Sequence, residues 1–207
     1  LIFPCNNFQT GWEDKIIQLT EELIKNNHPA VKVIIADDGS STPPDIKILN
    51  KIEKTAAVTY LRIENNTGKG NALREGIKNT NAGFYILTDI DLPYSTECIL
   101  NEIEGLKKGN DVVFGYREKA EFKKTPLSRR IISRAYGWWI KNIFHYPVGD
   151  TQCGLKGMNE KGKEIFMKTS VKTFLYDLEF IKLVLRNKNI KHQFVKVQLR
   201  DKVQFSR

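Results

Sequence analysis

The sequence predicts an α/β protein: one doubly wound, mostly parallel sheet flanked by helices, in a single domain. Three observations predict it. Short β-branched or apolar runs recur along the chain, and each is followed by a helical pattern. The loops directly after those runs hold Asp, Asn, Gly and Lys, the residue types expected where such sheets bind ligands. The 207 residues, 41% hydrophobic and 28% charged, suffice for one sizeable core.

The elements follow in order. Leu1-Ile2-Phe3 reads as a buried strand stopped by Pro4. Thr10 and Glu13 resemble a capping box, and Trp12, Ile16, Leu19 and Leu23 then fall on one helical face. His28-Pro29 ends that helix, and 31–36 (VKVIIA) is a second strand. Pro43-Pro44 opens a helix to about Lys54, and 58–63 is a third strand. A Gly/Asn loop at 65–70 leads into a short helix at 72–78, and 84–88 (FYILT) is a fourth strand. Ser95 caps a helix to about Lys108, and 111–116 is a fifth strand. Beyond a charged loop at 119–125, an amphipathic helix is expected over 127–143, with Ile131, Ala135 and Trp139 at helical spacing. A polar segment at 150–157, helices at 160–167 and 176–186, and a strand near 193–199 complete the chain. Residues 1–117 are expected to form a Rossmann-like half with ligands at its strand ends, and 118–207 a second half.

Charge divides along the same line. Residues 1–100 carry 10 Lys and Arg against 13 Asp and Glu, a net of −3; residues 101–207 carry 23 against 11, a net of +12. The basic half suggests an anionic partner, and a generally lysine-rich surface is the plainer alternative. Cys5, Cys98 and Cys153 match no zinc or redox spacing, and so sparse a set suggests a reducing compartment. No apolar run is long enough to span a membrane. The first residue, Leu1, already falls inside a strand, which leaves room for a preceding segment such as a membrane anchor.

Three loops carry candidate chemistry. Asp89 and Asp91 flank Ile90 directly after a strand; two carboxylates at i and i+2 share one side and can face a hard cation and the phosphates it bridges. Asp37-Asp38-Gly39-Ser40 also follows a strand: a carboxylate there can accept from a base N–H or a ribose hydroxyl, or simply cap the next helix. The loop from Asn66 to Gly70 has the look of a phosphate loop, but Lys69 is followed by Gly70, not by the Ser or Thr of a Walker A loop. Leu73 stands where a dinucleotide fingerprint needs its third glycine. Neither an ATPase nor a dehydrogenase is supported.

Together the segments LIFPCNN, IIADDGSS, NNTGKGNALREGI, ILTDIDLPYS, FGYR, DTQCGLKG and YDLEF resemble glycosyltransferase family 2, in the family's order and over essentially the whole chain. DTQCGLKG is most similar to the dolichyl- and polyprenyl-phosphate glucosyltransferase branch. The resemblance implies a GT-A fold and an inverting transferase using Mg²⁺ or Mn²⁺. It implies that Pro4, Asn7, Asp37, Asp38, Gly68, Lys69 and Asp89 bind the nucleotide sugar, with Asp37 and Asp38 on base and ribose. Asp89 and Asp91 would hold the metal and diphosphate, Asp91 foremost. Arg117 would meet phosphate, and Arg129, Arg130 and Ser133 the acceptor phosphate. A UDP-sugar is favoured over a GDP-sugar, and the acceptor would be a polyprenyl phosphate at the cytoplasmic face of a membrane. Two departures stand out. Phe8 replaces the usual Glu after the strand-one Asn. Pro93 stands where mannose synthases often have Gln, which counts against a mannosyl donor. No Arg-Trp pair exists, so the motif of processive polysaccharide synthases is absent.

The acceptor decides whether a base is needed. A phosphomonoester is largely a dianion at neutral pH and needs orientation and charge compensation instead. A hydroxyl on a glycan would need a carboxylate base, with Asp150, Asp177 and Glu179 as candidates. The 127–143 helix, with Trp138, Trp139, Arg130, Arg134 and Lys141, suits either peripheral membrane contact or ordinary core packing. A nucleotidyltransferase would want a Gly-rich, basic signature after the first strand, which Pro4-Cys5-Asn6-Asn7 lacks. Trp138 and Trp139 among basic residues are the one hint of nucleic-acid binding, and no known binding motif accompanies them, so no nucleic acid is expected.

Overall fold

A computed structural model describes residues 1–55, 57–118, 150 and 152–200. Seven strands form one sheet: β1 (Ile2–Cys5), β2 (Lys32–Asp38), β3 (Ala57–Ile63), β4 (Phe84–Leu87), β5 (Val112–Arg117), β6 (Lys156–Asn159) and β7 (His192–Val197). Their spatial order is β3-β2-β1-β4-β6-β5-β7. Every pairing is parallel except those of β6, which runs antiparallel to both β4 and β5.

Helices α1 (Trp12–Lys25), α2 (Ile46–Thr55) and α4 (Thr96–Lys107) cover one face; α3 (Lys69–Lys78), α5 (Glu160–Phe166) and α6 (Tyr176–Arg186) cover the other. Strand residues alternate between the two cores: Phe3, Val33, Ile35 and Val113 join the first, and Ile2, Ile34, Val112 and Phe114 the second. The chain is therefore doubly wound, as the alternation of elements predicts.

Some local expectations change. Pro4 lies inside β1. It pairs with Ala36, while pairing toward β4 is confined to Ile2 and Leu87, so its missing N–H falls where no ladder bond is due. Gly11, in a left-handed conformation and without a side-chain cap, precedes α1, so Thr10 caps nothing there. Ser95 does cap α4, accepting from the Cys98 amide, and Asn159 caps α5 through the Gly162 amide. The polar segment at 150–157 ends in a central strand, β6, whose alternation is masked because Lys156 and Gly157 stand at its start. The 127–143 helix and the loop at 119–125 lie outside the described residues.

Glu102 of α4 is fully buried against the Gly157 backbone, and neither carboxyl oxygen has a well-formed hydrogen bond among the described residues. Burial pushes its carboxyl well above the ordinary range, with the Gly157 backbone and Lys156 offsetting part of the effect. A folded-state pKa raised above the unfolded one contributes stability that is complete at low pH and lost as pH rises. Glu102→Gln, neutral throughout, is expected to melt with wild type near pH 4 and increasingly above it as pH rises past about 4.5. Thermal denaturation of both proteins across pH 4–8 measures this, and parallel profiles would refute a buried neutral acid.

Candidate functional site

The carboxyl ends of β1, β2 and β4 open onto a cavity of about 360 Å³. Pro4, Asn7, Asp38, Lys69, Asp89 and Asp91, six residues that the sequence marks for the donor, line it together. Asn6 and Asn7 fix the loop after β1. The Asn7 amide donates to Ser40 Oγ (2.8 Å), and Asn7 Oδ1 accepts from the Ser41 amide (3.0 Å) and hydroxyl (2.8 Å). Asn7 adopts φ +66°, a conformation that Asn tolerates better than most residues. Asn6 Nδ2 donates to the Asp38 carbonyl (2.7 Å).

The two aspartates after β2 take different roles. Asp37 is fully buried and does not line the cavity. Its carboxylate accepts from the Ser40 amide (2.9 Å), Tyr60 Oη (2.5 Å) and Arg62 Nη1 (3.1 Å). Asp38 lines the cavity, but its carboxylate accepts from the Thr67 amide (2.8 Å), Thr67 Oγ1 (2.7 Å) and the Gly68 amide (2.7 Å). Both therefore hold loops in shape first. The glycines of the 66–70 loop have a different use from the one expected. A Cβ on Gly68 would lie 2.6 Å from the Lys172 carbonyl, and the Gly70 amide donates to that carbonyl (2.7 Å). The close approach they permit is that of the protein's own backbone ahead of α6. Tyr60, Arg62 and Thr67, which the motifs did not single out, supply donors to this network.

Asp89 and Asp91 diverge electrostatically. Lys69 Nζ is 2.5 Å from Asp89 Oδ1. Burial works against the Asp89 charge, but Lys69, Lys156 and Arg117 outweigh it and hold the carboxyl below its ordinary value. Asp91, pressed by burial and then by Asp89, is pushed up to about 6. Its Oδ1 is buried without a hydrogen-bond partner among the described residues. Leu92, next to it, is buried at φ +49°, an uncommon conformation for a branched apolar residue. An orphaned carboxylate oxygen beside a second carboxylate, on a cavity wall, fits a hard divalent cation that completes its shell with ligand oxygens and water.

Arg117 and Asp150 form a fork. Arg117 Nε and backbone N reach Asp150 Oδ2 at 2.7 and 2.9 Å, and Nη2 reaches Oδ1 at 2.9 Å. Asp177 is buried and paired with Lys156, Nζ to Oδ1 at 2.7 Å. Glu179 accepts from the Ser170 amide and hydroxyl and from the Val171 amide (2.9, 3.0 and 2.8 Å). Arg129, Arg130 and Ser133 lie outside the described residues.

Gly154 lies against Asp89, where a Cβ would overlap Oδ2, and its amide donates to Tyr94 Oη (3.0 Å). Gly154→Ala is expected to displace Asp89 and lower stability by about 1–3 kcal/mol; thermal denaturation beside wild type checks it. Asp91→Asn is expected to raise the unfolding temperature at pH 8, because it removes a poorly solvated charge beside Asp89. A lower unfolding temperature would contradict that electrostatic account.

A family model, Glycosyl transferase family 2, matches residues 1–172. The chain is 26% identical over 200 residues to a dolichyl-phosphate beta-glucosyltransferase of Dictyostelium discoideum, covering 88% of this chain and 61% of that protein. It is 25% identical over 207 residues to a UDP-N-acetylglucosamine–dolichyl-phosphate N-acetylglucosaminyltransferase of Methanococcus voltae, covering 85% and 82%. The chain thus spans about three-fifths of the Dictyostelium protein. Among solved structures, glucosyl-3-phosphoglycerate synthase of Mycobacterium tuberculosis with phosphoglyceric acid superposes with a TM-score of 0.66 at 15% identity, over 97% of this chain and 71% of that one. The same enzyme with Mn²⁺, UDP and phosphoglyceric acid gives 0.62 at 16% identity, over 97% and 70%. The sheet order, the cavity with its paired aspartates, and a match over more than four-fifths of the sequence lead to one conclusion: this chain belongs to glycosyl transferase family 2 and has its GT-A fold.

Proposed function

We propose that this chain is an inverting glycosyltransferase that moves a hexose, glucose from UDP-glucose, onto a polyprenyl or dolichyl phosphate. One observation carries the choice of acceptor: each of the three carboxylates considered as a base for a hydroxyl acceptor, Asp150, Asp177 and Glu179, already has partners. Asp150 is held by the Arg117 fork, Asp177 by Lys156, and Glu179 by Ser170 and Val171. A base must have a lone pair within reach of the proton it takes. A phosphate dianion has no such requirement. The dolichyl-phosphate relatives and the net charge of +12 over residues 101–207 support the same acceptor.

In this reading the acceptor phosphate oxygen attacks the anomeric carbon from the face opposite the nucleotide. A carbon–oxygen bond forms, the bond to the β-phosphate oxygen breaks, and its electron pair leaves with UDP. No proton is transferred. Positive charge grows on the sugar ring and negative charge on the leaving diphosphate. Lys69 and Arg117 stand near Asp89 with their charges held by carboxylates, available to the diphosphate. A bound Mg²⁺ or Mn²⁺, on Asp91 with Asp89, would supply Lewis-acid stabilisation of the leaving group. Arg129, Arg130 and Ser133 are assigned to the acceptor phosphate.

Among the described residues no helix is long and apolar enough to cross a membrane. Phe174 and Leu175, 60% and 41% exposed, stand ahead of α6 beside the exposed Lys172. An apolar tip with a neighbouring cation suits contact with a lipid acceptor at a membrane surface, here assigned to the cytoplasmic face.

The test is sugar transfer from radiolabelled UDP-glucose or GDP-mannose to a polyprenyl phosphate, with Mn²⁺, Mg²⁺ or EDTA. Label entering the organic phase from UDP-glucose, and lost with EDTA, is expected. A folded protein that binds UDP and metal yet gives no organic label would refute the lipid acceptor.

A further inference from the structure

The ion pair between Lys156 and Asp177 is 2% and 3% exposed. Lys156 opens β6, opposite Leu87 on one side and Phe114 on the other, in the middle of the sheet. Withdrawing two such charges from water costs several kcal/mol per ion, and their attraction rarely offsets it beyond what an apolar pair would give. The pair is therefore poorly explained by stability alone, and its other contact supplies a use. Lys156 Nζ also donates to the Cys153 carbonyl. Cys153 is 1% exposed and its Sγ lies 3.3 Å from Tyr94 Oη. The next residue, Gly154, donates to the same Tyr94 oxygen and presses against the Asp89 carboxylate. An unbroken chain of contacts thus runs from α6, through Lys156, to the cavity wall.

We propose that Lys156 is a positioning residue of the donor site: anchored by Asp177, its ammonium fixes the Cys153–Gly154 turn against Asp89. The assignment rests on the cavity being the donor site. It gives Asp177 the part of an anchor, and it explains why a lysine occupies a central strand where the neighbouring strands present Leu87 and Phe114. Lys156 does not line the cavity; its charge helps keep Asp89 ionised, and its contact with Cys153 acts through the turn.

The double variant Lys156→Met/Asp177→Leu, in the full chain, separates this role from folding, because apolar replacement of both partners of a buried pair is commonly neutral or stabilising. Amide hydrogen exchange at Gly154 and calorimetric titration with UDP and Mn²⁺ are the readouts. The variant is expected to melt close to wild type, to exchange Gly154 at least about tenfold faster, and to bind UDP about 10–100-fold more weakly, as loss of a supporting partner does elsewhere. Wild-type exchange at Gly154, or wild-type UDP affinity, in the folded double variant would overturn the proposal. Where that double variant does not fold, Lys156→Leu/Asp177→Asn is used, which likewise leaves no buried charge; the same loosening of Gly154 is expected, and its absence overturns the proposal equally. A loosened Gly154 in a protein whose wild type binds no UDP would leave the staple standing and remove the donor reading instead.

Discussion

The antiparallel insertion of β6 between β4 and β5 is the constraint on which the rest of this site depends. β4 ends at Leu87, two residues ahead of Asp89, and its partner across the ladder is Lys156. Because β6 runs the other way, the chain enters it at the cavity end of the sheet. Cys153 and Gly154 therefore arrive beside Asp89, and Asp150 arrives beside Arg117 at the end of β5. A parallel strand in that place would begin at the opposite end and deliver none of these contacts. One reversal of direction supplies the glycine that backs Asp89, the partner of Arg117 and the buried Lys156.

Charge is arranged around that wall in alternation. Lys69 faces Asp89, Arg117 faces Asp150, and Lys156 faces Asp177, each pair partly or wholly withdrawn from water. Asp91 departs from the pattern, buried beside a like charge, with an oxygen lacking a hydrogen bond among the described residues and a strained leucine following it. Such local conflict is tolerated where surrounding structure over-determines the conformation, and it concentrates at sites built to receive something. The conflict falls at Asp91, the residue proposed above to hold the cation with Asp89.

The loops on the β2 side are held by a different economy. Asp38 binds the turn at Thr67–Gly68, Asp37 binds Tyr60 and Arg62, and Lys172 closes on Gly70. Carboxylates that a motif assigns to a ligand here shape the rim that the ligand would meet. A rigid rim lowers the ordering cost of binding, so the two uses are compatible.

The sequence by itself determined the order of elements through β5, the doubly wound class, the cap at Ser95 and the strand-end loops, because periodicity, capping and turn chemistry are local properties. It also marked Pro4, Asn7, Asp38, Lys69, Asp89 and Asp91, through strand-end placement together with the family resemblance, and all lie at or just beyond the carboxyl ends of strands. Tertiary structure alone decided which carboxylates have partners. Lys156 and Asp177 stand 21 positions apart and Arg117 and Asp150 stand 33 apart, and nothing local couples either pair. It also decided that Lys156-Gly157-Met158-Asn159 is a central strand: a lysine and a glycine read as polar turn until Asp177 neutralises one and Glu102 fills the space left by the other. Burial and pairing depend on residues far apart in the chain meeting in space, and local pattern carries no record of that meeting.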